Sequence, residues 1–304
     1  MSFPVTDSVA LFLEQSRQTE DGGFVFTGFF NAPDIPGTMI FLVRTDAHGD
    51  TLWTRQFQTN FYEHHTFAVE ELNDGGSALA GYRLTVPNQD FSFLIRTDSL
   101  GNVLWQRFFG GKADVDIGLC ETADGDIVTW SEYRDPAWPS YWRQMMLTKW
   151  DSAGNVVWQK KSHYNYYSWT WDLEVLGDGS FITVGAMAGE GVLAKFSNSG
   201  DSLWTRIYEV TNSVHYIYDV EPTTDGGFVA TGYAQQGAFD PHPGVEVIWA
   251  FKTDSFGCVI PGCQNVGVEE YEMGLQENLV VAPNPVSSTG QGPGNGSIHF
   301  ELPL

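Results

Sequence analysis

The chain has 304 residues, 14% of them aromatic, and a formal net charge of −23. That length can bury a large core in one domain or two, and the acidic balance sets the surface against phosphate backbones, so nucleic acid is excluded as an expected partner. No run of about 18 apolar residues occurs, so no membrane span is expected, and the opening MSFPVTDSVALFLEQ has no basic segment ahead of an apolar one and does not read as a signal peptide.

Short apolar runs punctuated by Gly, Asp and Asn replace any long 3.6-residue period, which points to an all-β protein. In chain order, a first turn phrase appears as EDGGFVFTG from Glu20 and returns with its Asp at Asp74, Asp124, Asp178 and Asp225, a period of about 50 residues. A second phrase keeps step with it. It starts at Asp46, Asp98, Asp151, Ser197 and Asp254, has Gly49, Gly101, Gly154, Gly200 and Gly257 three residues on, and Trp53, Trp105, Trp158 and Trp204 seven on. In the fifth unit Pro261, inside CVIPGC, stands where the Trp is due.

Each unit holds four apolar runs, as in TFAVEEL, SALAGYRL, FSFLIRT and NVLWQRFF of unit two. The first two are joined by an Asp-Gly turn and the last two by D-x-x-G, where Gly supplies the left-handed residue of a short hairpin. Four antiparallel strands per repeat predict a β-propeller of four-stranded blades, with strands a to d counted outward from the axis and five repeats visible. The units run 9–57, 62–109, 115–160, 169–208 and 216–260. Unit five lacks an ordinary d strand. Either residues 1–6 supply it or upstream blades are missing, and the blade number stays open. The propeller is expected over 1–263, followed by an acidic linker, 264–277.

Residues that recur once per blade are scaffold, because chemistry needs its groups once. Arg44, Arg96, Lys149, Lys195 and Lys252 precede the second phrase, and Arg55, Arg107, Lys160 and Arg206 follow its Trp. They are expected at solvent-facing strand positions, paired with acids on the outer strands. The Trp residues are expected between blades. The D-x-x-G phrase has too few alternating acids for a calcium loop. Cys120 reads as a small buried residue. Cys258 and Cys263 are too close in sequence for a zinc set and are expected to form a local disulfide, which belongs to an oxidising compartment.

Function is therefore expected on the face that carries the variable b–c and d–a segments. Two of these are rich in aromatics. The unit-three loop holds Tyr133, Arg134, Trp138, Tyr141, Trp142 and Arg143; the connection into unit four holds Tyr164, Tyr166, Tyr167, Trp169 and Trp171. Such rings stack on the C–H faces of sugars while polar neighbours take the hydroxyls. His64, His65, His163, His215 and His242 show no metal-ligand spacing, so no metal or cofactor is expected. A hydrolase or lyase would need paired acids on this face, for which Glu132, Asp135 and Asp172 are the candidates. No G-x-S-x-G, H-E-x-x-H or P-loop motif occurs.

TEDGGFVFTG and FLVRTDAHGDTLWTRQF resemble the propeller repeats of secreted and cell-surface Bacteroidetes proteins and, more distantly, the quinoprotein-type repeat. NLVVAPNPVSSTGQGPGNGSIHFELPL, residues 278–304, resembles the opening of a type IX secretion C-terminal sorting domain through Leu279–Val281, Pro283-Asn284-Pro285 and IHFELP. That resemblance implies a β-sandwich cut short here, type IX secretion machinery as a partner, and an extracellular or outer-membrane-surface location. The combined expectation is a non-enzymatic module that binds a protein or polysaccharide. A carbohydrate-active hydrolase or lyase and a structural or adhesion protein are the alternatives.

Overall fold

The computed structural model describes residues 10–31, 37–57, 63–84, 91–109, 117–133, 142–161, 165–166, 168–209, 214–235 and 245–263. Blade 1 is β1 (Ala10–Gln18), β2 (Phe24–Asn31), β3 (Thr38–Thr45) and β4 (Thr51–Phe57). Blade 2 is β5 (Glu63–Glu71), β6 (Ser77–Leu84), β7 (Phe91–Thr97) and β8 (Val103–Phe109). Blade 3 is β9 (Gly118–Glu121), β10 (Ile127–Tyr133), β11 (Trp142–Trp150) and β12 (Val156–Lys161), with the short β13 (Asn165–Tyr166) paired to the start of β11. Blade 4 is β14 (Ser168–Val175), β15 (Phe181–Met187), β16 (Glu190–Phe196) and β17 (Ser202–Tyr208). Blade 5 has three strands among the described residues, β18 (His215–Pro222), β19 (Phe228–Gln235) and β20 (Glu246–Thr253).

All neighbours within a blade are antiparallel and in sequence order, which makes the chain a five-blade β-propeller. Residues 1–6, the linker 264–277 and the segment 278–304 lie outside the described residues.

The turns follow from local chemistry. Asp98 Oδ1 accepts the backbone N–H groups of Leu100 (2.9 Å) and Asn102 (2.8 Å), and Gly101 takes the left-handed conformation at φ +77° that a side chain would strain. In the a–b turns of blades 1, 2 and 5 the Asp accepts from the glycine N–H two residues on, as with Asp74 and Gly76 at 2.9 Å, and in blade 4 Asp178 accepts from Ser180 N–H.

The cations of strand c depart from expectation. Arg44, Arg96 and Lys149 are largely buried, and their partners are the a–b turn acids: Arg44–Asp21 at 3.0 Å, Arg96–Asp74 at 2.7 Å and Lys149–Asp124 at 2.8 Å. Strand c lies beside strand b, so a long cationic side chain near the end of c reaches the turn that leads into b.

The core sits between blades. One cluster joins Val25, Ile40 and Leu42 of blade 1 to Val69, Leu79 and Phe93 of blade 2. Equivalent clusters fill the interfaces of blades 2–3, 3–4 and 4–5, and Cys120 is buried in the 3–4 cluster as a small apolar residue.

The repeated Trp and cation of strand d form a stitch. Trp105 Nε1 donates to Ser152 O (2.9 Å), and Arg107 donates to Gly154 O and Ala153 O (both 2.8 Å) in the next blade's c–d turn. A Cβ at Gly101, Gly154, Gly200 or Gly257 would lie within 3.0 Å of the preceding blade's Trp ring. The glycine of the D-x-x-G phrase thus serves the close approach of one blade to the next as well as the turn. Cys258 and Cys263 form the disulfide, which closes the chain into a tight loop where strand d of blade 5 is due.

Candidate functional site

Four innermost strands share one irregularity. Pairing of strand a with strand b skips Glu14 in β1, Phe67 in β5, Trp171 and Asp172 in β14, and Tyr218 in β18. A bulge adds an unpaired residue, bends the strand and re-aims side chains, and here it recurs beside the propeller axis.

In blades 4 and 5 the re-aimed residues meet. Trp171 and Tyr218 have ring centroids 4.7 Å apart, and Trp171 and Trp169 lie 5.5 and 5.4 Å from Tyr216. Tyr233 of β19 closes the group at 5.1 Å from Tyr216 and 5.7 Å from Tyr218. None of the five is fully buried, and Tyr218 keeps 41% of its surface. They form an aromatic shelf with solvent on it, at the end of strand a that the variable segments enter. A smaller group of His65, Phe67 and Tyr82 stacks on blade 2, with Phe29 of blade 1 against His65 at 4.0 Å.

Further along the same strands the chemistry changes from aromatic to ionic. Arg17 of blade 1 donates to Glu174 Oε1 (2.7 Å) and approaches Asp172 Oδ1 (3.4 Å) of blade 4 and Glu70 Oε2 (3.6 Å) of blade 2. Asp172 Oδ2 also accepts the N–H of Val220 in blade 5 at 3.2 Å. One guanidinium therefore faces three carboxyls. Burial, opposed by Arg17, pushes Glu70, Asp172 and Glu174 each up to about 7. The same acids hold the Arg17 pKa above its ordinary value against desolvation. A cleft of about 300 Å³ opens at the turn end of this cluster, lined by Arg17, Glu20, Glu70, Glu71, Asn73 and Glu174 among others. Asp172 lies where shelf and cluster meet.

The residues expected from sequence distribute as follows. Trp169 and Trp171 belong to the shelf. Trp142 and Tyr166 are cross-strand neighbours in register, as are Arg143 and Asn165, so β13 brings the two aromatic segments together. Tyr133 packs against the blade 2–3 core with Lys161 Nζ 3.4 Å from its ring centroid. Arg134, Trp138, Tyr141 and Tyr167 lie outside the described residues, as do Tyr164, Asp135, His163 and His242. Glu132 is 0% exposed, inside blade 3 on β10 rather than on the loop face. His215 is buried, its Nδ1 lies 2.9 Å from Glu190 Oε2, and desolvation lowers its pKa to about 4. Among the described residues no group of His, Cys, Asp and Glu is arranged to hold a metal ion.

Sequence reasoning missed Tyr216, Tyr218, Tyr233, Arg17, Glu70 and Glu174. A signal for the first two exists, because HYIYDVE of unit five repeats the pattern of SWTWDLE in unit four.

Fold and site together define a five-blade β-propeller with an aromatic and acidic axis. No protein-family model and no curated protein matches the chain. Among solved structures it is similar to a protein of unknown function from Dyadobacter fermentans DSM 18053, with a TM-score of 0.54 at 10% identity, covering 81% of this chain and 80% of that one. It is also similar to the α-L-arabinofuranosidase Arb93A from Fusarium graminearum in complex with an iminosugar inhibitor, with a TM-score of 0.51 at 12% identity, covering 78% and 80%. At these identities the likeness is one of fold.

Proposed function

We propose that the protein is a glycan-binding propeller that takes a polysaccharide segment on the shelf of Trp169, Trp171, Tyr216, Tyr218 and Tyr233. The observation that carries this reading is the mutual packing of these rings beside the axis while Tyr218 stays 41% exposed. A core would bury them; a sugar platform needs them half open. The Fusarium graminearum enzyme accommodates a sugar mimic on a propeller scaffold, which is compatible with such a ligand. Tyr133, Arg134, Trp138, Tyr141, Trp142, Arg143, Tyr166 and Tyr167, the aromatic and basic residues of the two variable segments, are proposed as further contacts for the same ligand. In this reading the protein works outside the cell, exported through the type IX machinery by the segment 278–304. The Cys258–Cys263 disulfide supports an oxidising compartment.

The test is a polysaccharide panel in affinity electrophoresis, followed by titration of any ligand found. Trp171→Ala and Tyr218→Ala are each expected to weaken binding about tenfold, the loss of one stacked ring. A wild-type protein that retains no polysaccharide, or a Trp171→Ala variant that binds as well as wild type, would refute the reading.

A second reading rests on Asp172. Its pKa of about 7 leaves a proton available near neutrality at the edge of the shelf, as a general acid requires, with Glu174 and Glu70 nearby as the partner carboxylate. Hydrolysis of a bound polysaccharide, abolished by Asp172→Asn with binding retained, would select this reading.

A further inference from the structure

The innermost strands carry two tiers of side chains. In the first, Phe12, His65, Trp169 and Tyr216 pair with Phe29, Tyr82, Ala186 and Tyr233 of strand b. In the second, Arg17, Glu70, Glu174 and Glu221 pair with Val25, Ala78, Ile182 and Val229. The two partners on strand b are an even number of residues apart in every blade, as Phe29 and Val25 are, so both tiers share one face. The bulge between them makes this possible, because Phe12 and Arg17 are an odd number apart on strand a. The first tier is aromatic and lies at the end of strand a that the variable segments enter. The second is ionic, and Arg17 joins blades 1, 2 and 4 through Glu70 and Glu174.

The shelf on blades 4 and 5 is therefore one half of a collar above an ionic floor, and blades 1 and 2 carry the other half. Phe12 stacks on Phe29 with centroids 4.8 Å apart, and Phe29 meets His65 at 4.0 Å. The His65, Phe67 and Tyr82 rings lie within 9–20° of parallel to one another. Parallel rings present a flat face, the shape on which a sugar ring stacks. Phe12 keeps 47% of its surface, and His65, Phe67 and Tyr82 are half-buried. Phe67 is the bulge residue of blade 2, as Tyr218 is of blade 5, and the exposed Glu14 takes that place in blade 1. In blade 3 Glu132, which pairs with Met145 as Phe29 does with Ile40, interrupts the aromatic tier and separates the halves.

We propose that the aromatic group on blades 1 and 2 is a second sugar subsite, so that one neutral polysaccharide chain is held at both halves of the collar. The proposal rests on the reading of the shelf as a glycan site. Glu14 beside the second half, the acids of the floor and the net charge of −23 set the site against uronate or sulfated chains. A chain that reaches both halves gains its second contact intramolecularly, so affinity rises with chain length.

The probes are neutral cello-, xylo-, manno- and arabino-oligosaccharides of about two to eight units, titrated into the full chain by isothermal calorimetry. For the series that binds, the longest member is expected to bind one per protein and about tenfold more tightly than the shortest. Phe12→Ala and Phe67→Ala are each expected to remove most of that gain and to leave the shortest member's affinity for the shelf unchanged. Phe12 is exposed, so its variant should melt like wild type, and a thermal scan checks it. A gain with length that survives both substitutions overturns the proposal, as does tighter binding of polygalacturonate than of any neutral series. Either result leaves the shelf standing if Trp171→Ala still weakens binding. A wild-type protein that binds none of the probes overturns the second subsite and the shelf together.

Discussion

Arg17→Met is expected to destabilise the protein by about 3 kcal/mol at pH 8 and by under about 1 kcal/mol at pH 5, measured by urea unfolding at both pH values. The substitution keeps most of the apolar stem and removes the guanidinium that, among the described residues, faces Glu70, Asp172 and Glu174. Breaking one side of a buried ion pair costs about 3–5 kcal/mol because a charge is left uncompensated. The low end applies because Arg17 keeps 23% and Glu70 30% of their side-chain surface. At pH 5 the three carboxyls, each at about 7, are mostly protonated and need no counter-ion. An equal loss at both pH values would show that Arg17 acts through packing alone.

The wild-type profile follows from the same groups. Their folded pKa values lie above the unfolded ones, so the folded state holds protons that the unfolded chain releases. Stability is therefore undiminished by these acids below about pH 4 and declines as pH rises through 7. The turn acids work the other way: Asp74, Asp98 and Asp151 have pKa values held down by hydrogen bonds, with burial opposing, and their contribution is lost as pH falls below the ordinary carboxylate range. The two sets act in different windows, and between pH 5 and 7.5 the three axial acids set the direction of the slope, opposed at its lower end by His215, whose pKa desolvation lowers to about 4. Glu174→Gln is expected to flatten that slope.

Gly101→Ala and Gly49→Ala form a matched pair that measures the stitch. Both residues have positive φ, +77° and +83°, so each Ala carries the left-handed strain, about 1–2 kcal/mol. At Gly101 the new Cβ would also sit 2.6 Å from Arg55 Cγ and 2.8 Å from the Trp53 ring, whereas at Gly49 it meets nothing. Displacing a packed Trp–Arg pair adds about 1–3 kcal/mol. Gly101→Ala is thus expected to cost about 2–5 kcal/mol in total and Gly49→Ala about 1–2 kcal/mol, read from chemical denaturation. Equal effects would mean that the Trp53–Gly101 approach contributes nothing to cohesion between blades.

What sequence by itself determined is the repeating part. Asp-Gly and D-x-x-G turns, alternating apolar strands and a Trp once per unit are local signals, each readable within a window of about ten residues because turn geometry and strand period are local physics. The repeat then multiplied a modest signal by five, so five repeats, their strand order and the Cys258–Cys263 bond were within reach, while the number of blades was left to the structure. The strand-c cations were misplaced because strand alternation says which face a residue shares, whereas Arg44 reaches along its blade to Asp21 in a turn. Tertiary structure alone decided the axis. Arg17, Glu70 and Glu174 sit in unremarkable strand patterns, far apart in the chain, and no local rule pairs them. The bulges that bring Trp171 against Tyr218 exist only as a mismatch between two paired strands. Closing a ring brings the ends of separate strands to one line, and the groups that do not repeat meet there.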